Sequence, residues 1–242
     1  MANNFYNAVK RNVSSDSTKP TEVYKAPDTK KAILIELDVA NKSSSGVTVT
    51  VSMCDESQNQ THSLTGTTTN ANASSVTVTT GTGTGKGEFT TTSNTNHNLI
   101  VNDRVVFEIA GGGSAASFTD ASLPPSGDTA LSITGEGTTG ARMYYVQSVT
   151  TTAPYKFTIA ESESATSPLT FDAAGGNLRM IKVHLADIVR DAPVPVGGSL
   201  KVISGQKLVI ESAHANVNDK IFVTASAANA VDCIASVLED VS

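Results

Sequence analysis

The sequence predicts an all-β protein: an antiparallel, jelly-roll-like β-sandwich formed by the two ends of the chain, with a smaller β-domain inserted between them. Three observations support this. Short runs alternate apolar and polar residues, as in Val101–Ile109 and Lys207–Ser212, which is the period of a half-buried strand. Gly, Asn, Asp, Ser and Thr separate these runs. A Thr/Ser/Gly-rich stretch divides the runs into two sets.

The first set of strands comes from both ends of the chain, in residues 31–57 and 177–242, and forms the predicted sandwich domain. Lys31–Ala40 and Val47–Met53 are predicted to form a hairpin around the turn Asn41–Gly46. Ile33, Ile35 and Leu37 are predicted to share one face of its first strand. The later strands are predicted at Leu178–Leu185, Ser199–Ile203, Lys207–Ser212, Lys220–Ser226 and Asp232–Leu238.

Proline and glycine interrupt this set at Ala192–Gly198. Because Pro193 and Pro195 cannot donate to a central ladder, the segment is predicted to cross between strands or to lie at an edge.

The second set of strands lies in residues 85–176, the predicted inserted domain. Residues 58–84 are predicted to be a linker whose one strand-like run is Val76–Thr80. The strands of the insert are predicted at Gly87–Thr92, Arg104–Ile109, Met143–Val149 and Tyr155–Ala160, with an edge strand at Pro168–Phe171. The long loop Gly111–Gly140 is interpreted as either exposed and functional or mobile.

Residues 1–30 are predicted to be an extended arm that becomes ordered on a neighbouring subunit. Phe5, Tyr6 and Val9 are predicted to lie on one face of a short helical turn. Residues 1–31 carry six basic and three acidic residues, a balance of +3, so the rest of the chain carries −9 of the total of −6. An acidic body argues against broad nucleic-acid binding, whereas the basic arm is either a contact for an acidic partner or a solvated tail.

No catalytic, cofactor or metal site is predicted. The glycine-rich run Gly81–Gly87 resembles a phosphate loop, but Gly87 stands where that loop needs Ser or Thr. The four histidines are dispersed and lack metal-ligand spacing. Glu161 and Glu163 lie in a turn-rich stretch and are interpreted as a solvated loop.

The two cysteines, Cys54 and Cys233, lie in apolar strand-like runs and are predicted to be buried free thiols. No apolar run approaches the ~20 residues that a membrane-spanning helix needs, so no membrane partner is predicted.

Several of these segments resemble small β-sandwich virion proteins of tailed bacteriophages, especially those of marine hosts. The matching sandwich segments are Ala32–Ala40 with Asn41, Val47–Met53, Ala192–Leu200, Gly205–Glu211, Asp219–Ser226 and Ser236–Glu239. The insert resembles a small β-module that recurs in phage structural proteins, through His97–Leu99, Asp103–Val105, Tyr144–Val146 and Phe157–Ile159. That module usually has Gly before the Asp, whereas this chain has Asn102, which tolerates a positive φ better than most residues.

The resemblance implies a non-enzymatic structural component of the virion, either decorating the capsid or associated with the neck or tail. Its implied partners are other virion proteins (capsid, portal or neck, or tail) and further copies of itself. The alternative is a host-recognition module of a tail or capsid fibre that binds a receptor or glycan. A polysaccharide hydrolase is disfavoured because the acidic residues are scattered. The candidate partner contacts are Phe5, Tyr6, Val9, Lys10, Arg11, Tyr24, Tyr144 and Tyr145.

Overall fold

The computed structural model of the 242-residue chain describes residues 4–61, 74–80, 87–91, 96–118, 126–134, 141–205, 207–214 and 217–240. Within them the regular structure is β, apart from one 3₁₀ turn at Glu56–Gln58. The strands pair antiparallel throughout, with one parallel exception, described below. The predicted all-β antiparallel fold class is therefore confirmed.

The strands are numbered here in chain order. They are β1 (Asn4–Lys10), β2 (Thr21–Lys25), β3 (Lys31–Asn41), β4 (Val47–Cys54), β5 (Gln60–Thr61), β6 (Ser74–Val78), β7 (Phe89–Thr91), β8 (Arg104–Ser114), β9 (Ser117–Phe118), β10 (Ile133–Thr134), β11 (Tyr144–Val149), β12 (Lys156–Ala160), β13 (Phe171–Ala173), β14 (Gly176–Val183), β15 (Leu185–Val194), β16 (Ser199–Ile203), β17 (Leu208–His214), β18 (Val217–Asn218), β19 (Lys220–Ala225) and β20 (Val231–Glu239).

The chain divides into two compact units, the first made of Met1–Gln58 with His184–Ser242 and the second of Asn59–Val183. The second unit enters between β4 and β15, which are antiparallel neighbours with Cys54 opposite Leu185. The N–H of Asp55 donates to the carbonyl of His184 at 3.1 Å just beyond this pair. The chain therefore leaves and re-enters the first unit at one point, the connection between two paired strands.

These units differ from the predicted boundaries in three respects. The N-terminal segment belongs to the first unit, because β1 pairs with β20 and β2 pairs with β19. The predicted linker contains β5 and β6, which both pair with β14. Finally, β14 lies in the second unit, although residues 177–183 were assigned to the sandwich.

The first unit contains two sheets whose inner faces share one apolar core. Sheet A has the order β1-β20-β3-β17-β18, with β16 also on β3, and sheet B has the order β15-β4-β19-β2. The core is built from both, for example from Leu37 and Val237 of sheet A and Val51 and Ile221 of sheet B. Burying such aliphatic side chains contributes about 1.5–3 kcal/mol each.

The predicted hairpin between β3 and β4 is wrong, because the two strands lie in different sheets. The turn at Asn41–Gly46 carries the chain across the sandwich instead. The side-chain Nδ2 of Asn41 donates to the carbonyl of Ser45 at 2.8 Å and to that of Val194 at 3.1 Å. An alternating run predicts a strand but does not identify its partners, and here every partner of β3 and of β4 is distant in the sequence.

The predicted faces of β3 are also wrong, because a β-bulge changes the phase of the strand. Ser236 lies opposite Glu36, but the next residue, Val237, lies opposite Leu34, so Ile35 is the extra residue. Since side chains alternate with period two, one extra residue exchanges the two faces. The buried residues are accordingly Ala32 and Leu34 before the bulge and Leu37, Val39 and Asn41 after it.

The second unit contains a closed antiparallel barrel. The strands β8, β11, β12, β7, β6 and β14 are hydrogen-bonded in that order, and β14 also pairs with β8, which closes the ring. The parallel pair is β10 beside β8. Buried aromatic rings fill the interior: Phe89 lies 5.1 Å from Phe157, 4.9 Å from Phe107 and 5.4 Å from Phe171, centroid to centroid.

Two smaller predictions can be compared with this fold. Pro193 lies in β15, an edge strand of sheet B, so the edge assignment is confirmed. The predicted edge strand at Pro168–Phe171 is displaced, because the strand is Phe171–Ala173 and pairs with β9. Of the loop Gly111–Gly140, the structure describes residues 111–118 and 126–134, which contain the end of β8, β9 and β10. Residues 119–125 and 135–140 lie outside the described residues.

Candidate interaction surface

The first strand, β1, forms an edge of sheet A. It pairs with β20 without interruption from Asn4 opposite Glu239 to Lys10 opposite Cys233. Ala8 faces the core and is buried, whereas Phe5 and Val9 on the opposite face are 65% and 53% exposed. The predicted helical turn is therefore wrong, and the segment pairs with a strand of its own chain. Its alternation was hidden by polar Asn4 and Asn7 and by the small Ala8.

A row of apolar side chains crosses the outer face of sheet A. Phe5 lies opposite Leu238, Leu238 opposite Ile33, and Ile33 opposite Val209, in four adjacent strands. Directly opposite residues project from the same face with their Cβ atoms about 4.5–5.5 Å apart. The two ends of the row are the most exposed to solvent, since the exposed fractions of Phe5 and Val209 are 65% and 52%.

A second apolar row lies on the same face, separated from the first by the polar row Asn7–Ser236–Glu36, and it ends in charged residues. Val9 lies opposite Ile234, Ile234 opposite Asp38, and Asp38 opposite Lys201. Ile234 is 49% exposed. Lys201 donates a hydrogen bond to Glu36 at 2.5 Å, and this bond raises the pKa of Lys201. The negative charge of Asp38 raises it further. These two rows, Phe5–Leu238–Ile33–Val209 and Val9–Ile234, are called the apolar outer face below.

The candidate contacts predicted from the sequence fall into two groups. Phe5, Tyr6, Val9, Lys10 and Arg11 are exposed on or next to β1. Tyr24, Tyr144 and Tyr145 are buried and are corrected to interior residues.

The buried tyrosines each have a polar partner for the hydroxyl. That of Tyr24 donates to Glu239 at 2.9 Å, and burial followed by this bond raises the pKa of Tyr24. The hydroxyl of Tyr144 accepts from the N–H of Ser132 at 2.9 Å, and burial raises its pKa. Tyr145 lies under the guanidinium of Arg104, which is 3.4 Å from the ring centroid and also donates to the hydroxyl.

A buried ion pair in the first unit escaped the sequence analysis. Lys220 contacts the carboxylate of Glu56, and the two side chains are only 2% and 4% exposed. The other carboxylate oxygen of Glu56 accepts from the N–H of Asn218 at 2.9 Å. The amide of Asn218 donates to the carbonyl of Ala26 at 2.9 Å and to Asp28 at 2.7 Å. The cluster therefore ties the turn after β4 to β19 and to the segment after β2.

The neighbouring Asp219 is buried and accepts from the N–H of Glu211 at 3.0 Å. Burial raises the pKa of its carboxyl from 3.8 to about 6. The folded chain therefore binds more protons than the unfolded chain between about pH 4 and pH 6, so this carboxyl lowers stability as the pH rises through that window.

We expect Asp219→Asn to be more stable than the wild type at neutral pH, by a margin that shrinks as the pH falls to about 4. Urea unfolding at several pH values measures this margin. Asp232→Asn is the control. Hydrogen bonds from Lys42 and then from Asn12 lower the pKa of Asp232 below 3.8. The contribution of Asp232 to stability therefore changes at a more acidic pH than that of Asp219. A margin for Asp219→Asn that does not vary with pH would contradict the prediction.

A second buried polar network lies in the second unit. The guanidinium of Arg142 contacts Asp128 at 2.9 Å and Glu161 at 3.3 Å, and the Arg142 and Glu161 side chains are 4% and 5% exposed. Glu161 also accepts from the hydroxyl of Ser126 at 2.6 Å and from its N–H at 2.9 Å. The interpretation of Glu161 as part of a solvated loop is therefore wrong. This network fastens the segment before β10 to the barrel.

The segment from His97 to Asp103 is a turn that side-chain hydrogen bonds stabilise. The N–H of Leu99 donates to Nδ1 of His97 at 3.0 Å, which places the ring proton on Nε2, 3.2 Å from the carbonyl of Lys156. Asp103 accepts from the N–H of Ile100 at 2.7 Å. Asn102 has φ +74°, and its N–H donates to Val146 at 2.8 Å. These residues therefore position the start of β8.

We expect Asn102→Ala to lower the free energy of unfolding by about 1–2 kcal/mol, because a β-carbon disfavours the left-handed conformation. Asn102→Gly keeps the same backbone hydrogen bond and removes the steric conflict, so it should be at least as stable as the wild type. Urea denaturation of the three chains provides the comparison. Equal destabilisation by both substitutions would show that the side chain, rather than φ, matters at this position.

The two cysteines are buried and free, as predicted. Burial raises the pKa of the Cys233 thiol to about 12, and Asp232 acts in the same direction. This thiol is therefore protonated at neutral pH and is not a nucleophile. The run Gly81–Gly87 lies, apart from Gly87, outside the described residues.

No family of known proteins, no curated protein and no solved structure matches this chain. In the described part of the chain, His, Cys, Asp and Glu side chains form no group of three that would hold a metal ion. No helix among the described residues has the length and apolar character needed to cross a membrane.

Proposed function

We propose that this chain is a non-enzymatic structural component of a bacteriophage particle, either decorating the capsid or associated with the neck or tail. It acts by contacts with other virion proteins and with its own copies. The proposal originates in the resemblance of the strand and turn segments to β-sandwich virion proteins of tailed phages. The observation that carries it is the apolar outer face, which presents Phe5, Leu238, Ile33 and Val209 in one row of sheet A.

Such a face fits a permanent contact better than a catalytic role. Contiguous exposed apolar patches on soluble proteins mark interaction sites, and the cores of obligate interfaces are more apolar than ordinary surface. The charged residues Asp38 and Lys201 that continue the second row resemble the polar rim of such a contact. The alternative of host recognition places the binding surface on the loop Gly111–Gly140 and on the tyrosines of the insert. Tyr144 and Tyr145 are buried, and residues 119–125 and 135–140 of the loop lie outside the described residues.

We expect the chain to be present in purified particles of the phage that encodes it, at a constant number of copies per particle. Immunogold labelling and quantitative mass spectrometry of gradient-purified virions measure this. Absence from intact virions, together with abundance in the infected cell, would remove the proposal.

The apolar outer face is tested in the same particles by substitution. We expect Val209→Lys combined with Ile234→Lys to abolish incorporation, because both side chains are about half exposed and the change places two charges within the proposed contact. Val196→Lys is the matched control, since Val196 is 58% exposed but lies in the turn between β15 and β16. Equal incorporation of both variants would exclude this face as the contact.

A further inference from the structure

We infer that two copies of this chain join through their β1 strands, which pair antiparallel about a twofold axis at Asn7 and extend sheet A from one copy into the next. The inference rests on the proposed structural role, since it specifies one of the subunit contacts which that role requires. Its test uses the purified chain, so the two can fail separately.

The free edge of β1 is open to such pairing. Among the described strands, β20 alone pairs with β1, and its register contains no bulge. Every second residue of an edge strand directs its N–H and C=O away from the sheet, where they form a template for another strand. Proteins protect such edges with proline, bulges or charges, whereas β1 (Asn4–Lys10) contains no proline and has its one charged residue, Lys10, at the end.

The sequence of β1 is self-complementary in this register. With Asn7 opposite Asn7 of the second copy, Phe5 lies opposite Val9, Tyr6 opposite Ala8 and Asn4 opposite Lys10. Aromatic residues opposite β-branched residues are favoured cross-strand pairs. The neighbouring registers that keep the outward side chains on one face place Asn7 opposite Phe5 or opposite Val9. One register therefore matches apolar with apolar on the exposed face and opposes no like charges.

The pairing also joins the two apolar rows into one. The row from Val209 through Ile33 and Leu238 to Phe5 continues with Val9 and Ile234 of the second copy, and the twofold axis repeats this in the opposite direction. The combined face spans both subunits. A single-strand contact alone buries little area, whereas a continuous apolar face presents a larger surface to the rest of the particle.

The test is the molar mass of the full chain in solution, measured by light scattering after size exclusion. We expect the wild type to have twice the chain mass of 25.0 kDa. Phe5→Lys with Val9→Lys places like charges opposite each other twice and should give the monomer mass. Phe5→Glu with Val9→Lys places opposite charges there and should restore the dimer mass. Val196→Lys is a control away from β1 and should remain a dimer.

Disulfide formation gives a second measurement that does not depend on those substitutions. We expect Asn7→Cys to form an intermolecular disulfide under mild oxidation, because Asn7 lies on the axis. Ala186→Cys, on the exposed edge strand β15, is the matched control and should stay monomeric on a non-reducing gel. If Phe5→Lys with Val9→Lys fails to fold, the disulfide result decides.

A monomeric wild type, equal masses for the Lys/Lys and Glu/Lys chains, or equal disulfide formation by Asn7→Cys and Ala186→Cys would each overturn the inference. Virions that contain a chain found to be monomeric would overturn it while leaving the proposed function intact. If the chain is a dimer and the variants have the expected masses, but the chain is absent from virions, the inference stands and the proposed function is overturned.

Discussion

Replacing Lys220 by methionine is expected to lower the free energy of unfolding by about 3–5 kcal/mol, the cost of leaving one partner of a buried ion pair without the other. Lys220 and Glu56 are 2% and 4% exposed, so solvent cannot replace the lost ammonium. The N–H of Asn218 is the remaining donor to Glu56 among the hydrogen bonds described above. Denaturant unfolding of the full chain measures the loss.

Two further variants distinguish the loss of the buried ion pair from the effect of replacing any lysine by methionine. Glu56→Gln combined with Lys220→Met removes both charges, and we expect it to recover much of the loss, because no uncompensated charge stays buried. Lys31→Met removes an exposed partner of Glu211, with side chains 63% and 50% exposed, and should leave the transition nearly unchanged. If Lys220→Met behaved like Lys31→Met, the buried pair would not stabilise the sandwich.

Replacing Phe89 by alanine is expected to lower the free energy of unfolding of the second unit by about 3–5 kcal/mol. Phe89 is fully buried and contacts three other rings, Phe107, Phe157 and Phe171, with centroids 4.9 to 5.4 Å away. Truncation removes these contacts and leaves a cavity in the barrel, which cannot collapse easily because its strands form a closed ring.

Phe89→Leu provides the graded comparison, since it keeps most of the buried volume and should cost less than alanine. The unfolding of the two units should be followed by separate probes, because each has its own core. We expect the loss to appear in the transition of the barrel and not in that of the sandwich. A loss of less than 1 kcal/mol for Phe89→Ala would contradict the aromatic packing described here.

Strands are predictable from this sequence where the pattern is local. Runs such as Ser199–Ile203 and Val47–Met53 indicate strands because a half-buried strand alternates within itself. Features that depend on a distant partner strand are not predictable in this way. The bulge at Ile35 exists because β20 pairs with β3 in a shifted register, and nothing within β3 shows this.

The candidate surface was predictable in part for the same reason. Phe5 and Val9 were singled out as apolar residues in a polar segment, and both are exposed. Their alignment with Ile33 and Val209 follows from long-range register, which the sequence does not reveal. Tyr144 was misplaced because a tyrosine in a strand can face either side, and its hydroxyl finds Ser132 in the interior. Lys220 was overlooked because its partner is far away in the sequence.

Both ends of the chain form one sandwich, and the barrel is inserted into the chain between β4 and β15. The most direct test of this arrangement is amide hydrogen exchange on a shortened chain. In that chain a short Gly/Asn linker replaces residues 59–183 and joins Gln58 to His184. Because β4 and β15 are already antiparallel neighbours, we expect β3 and β20 to remain as protected as in the full chain. Loss of that protection, with no cooperative unfolding transition, would contradict the account.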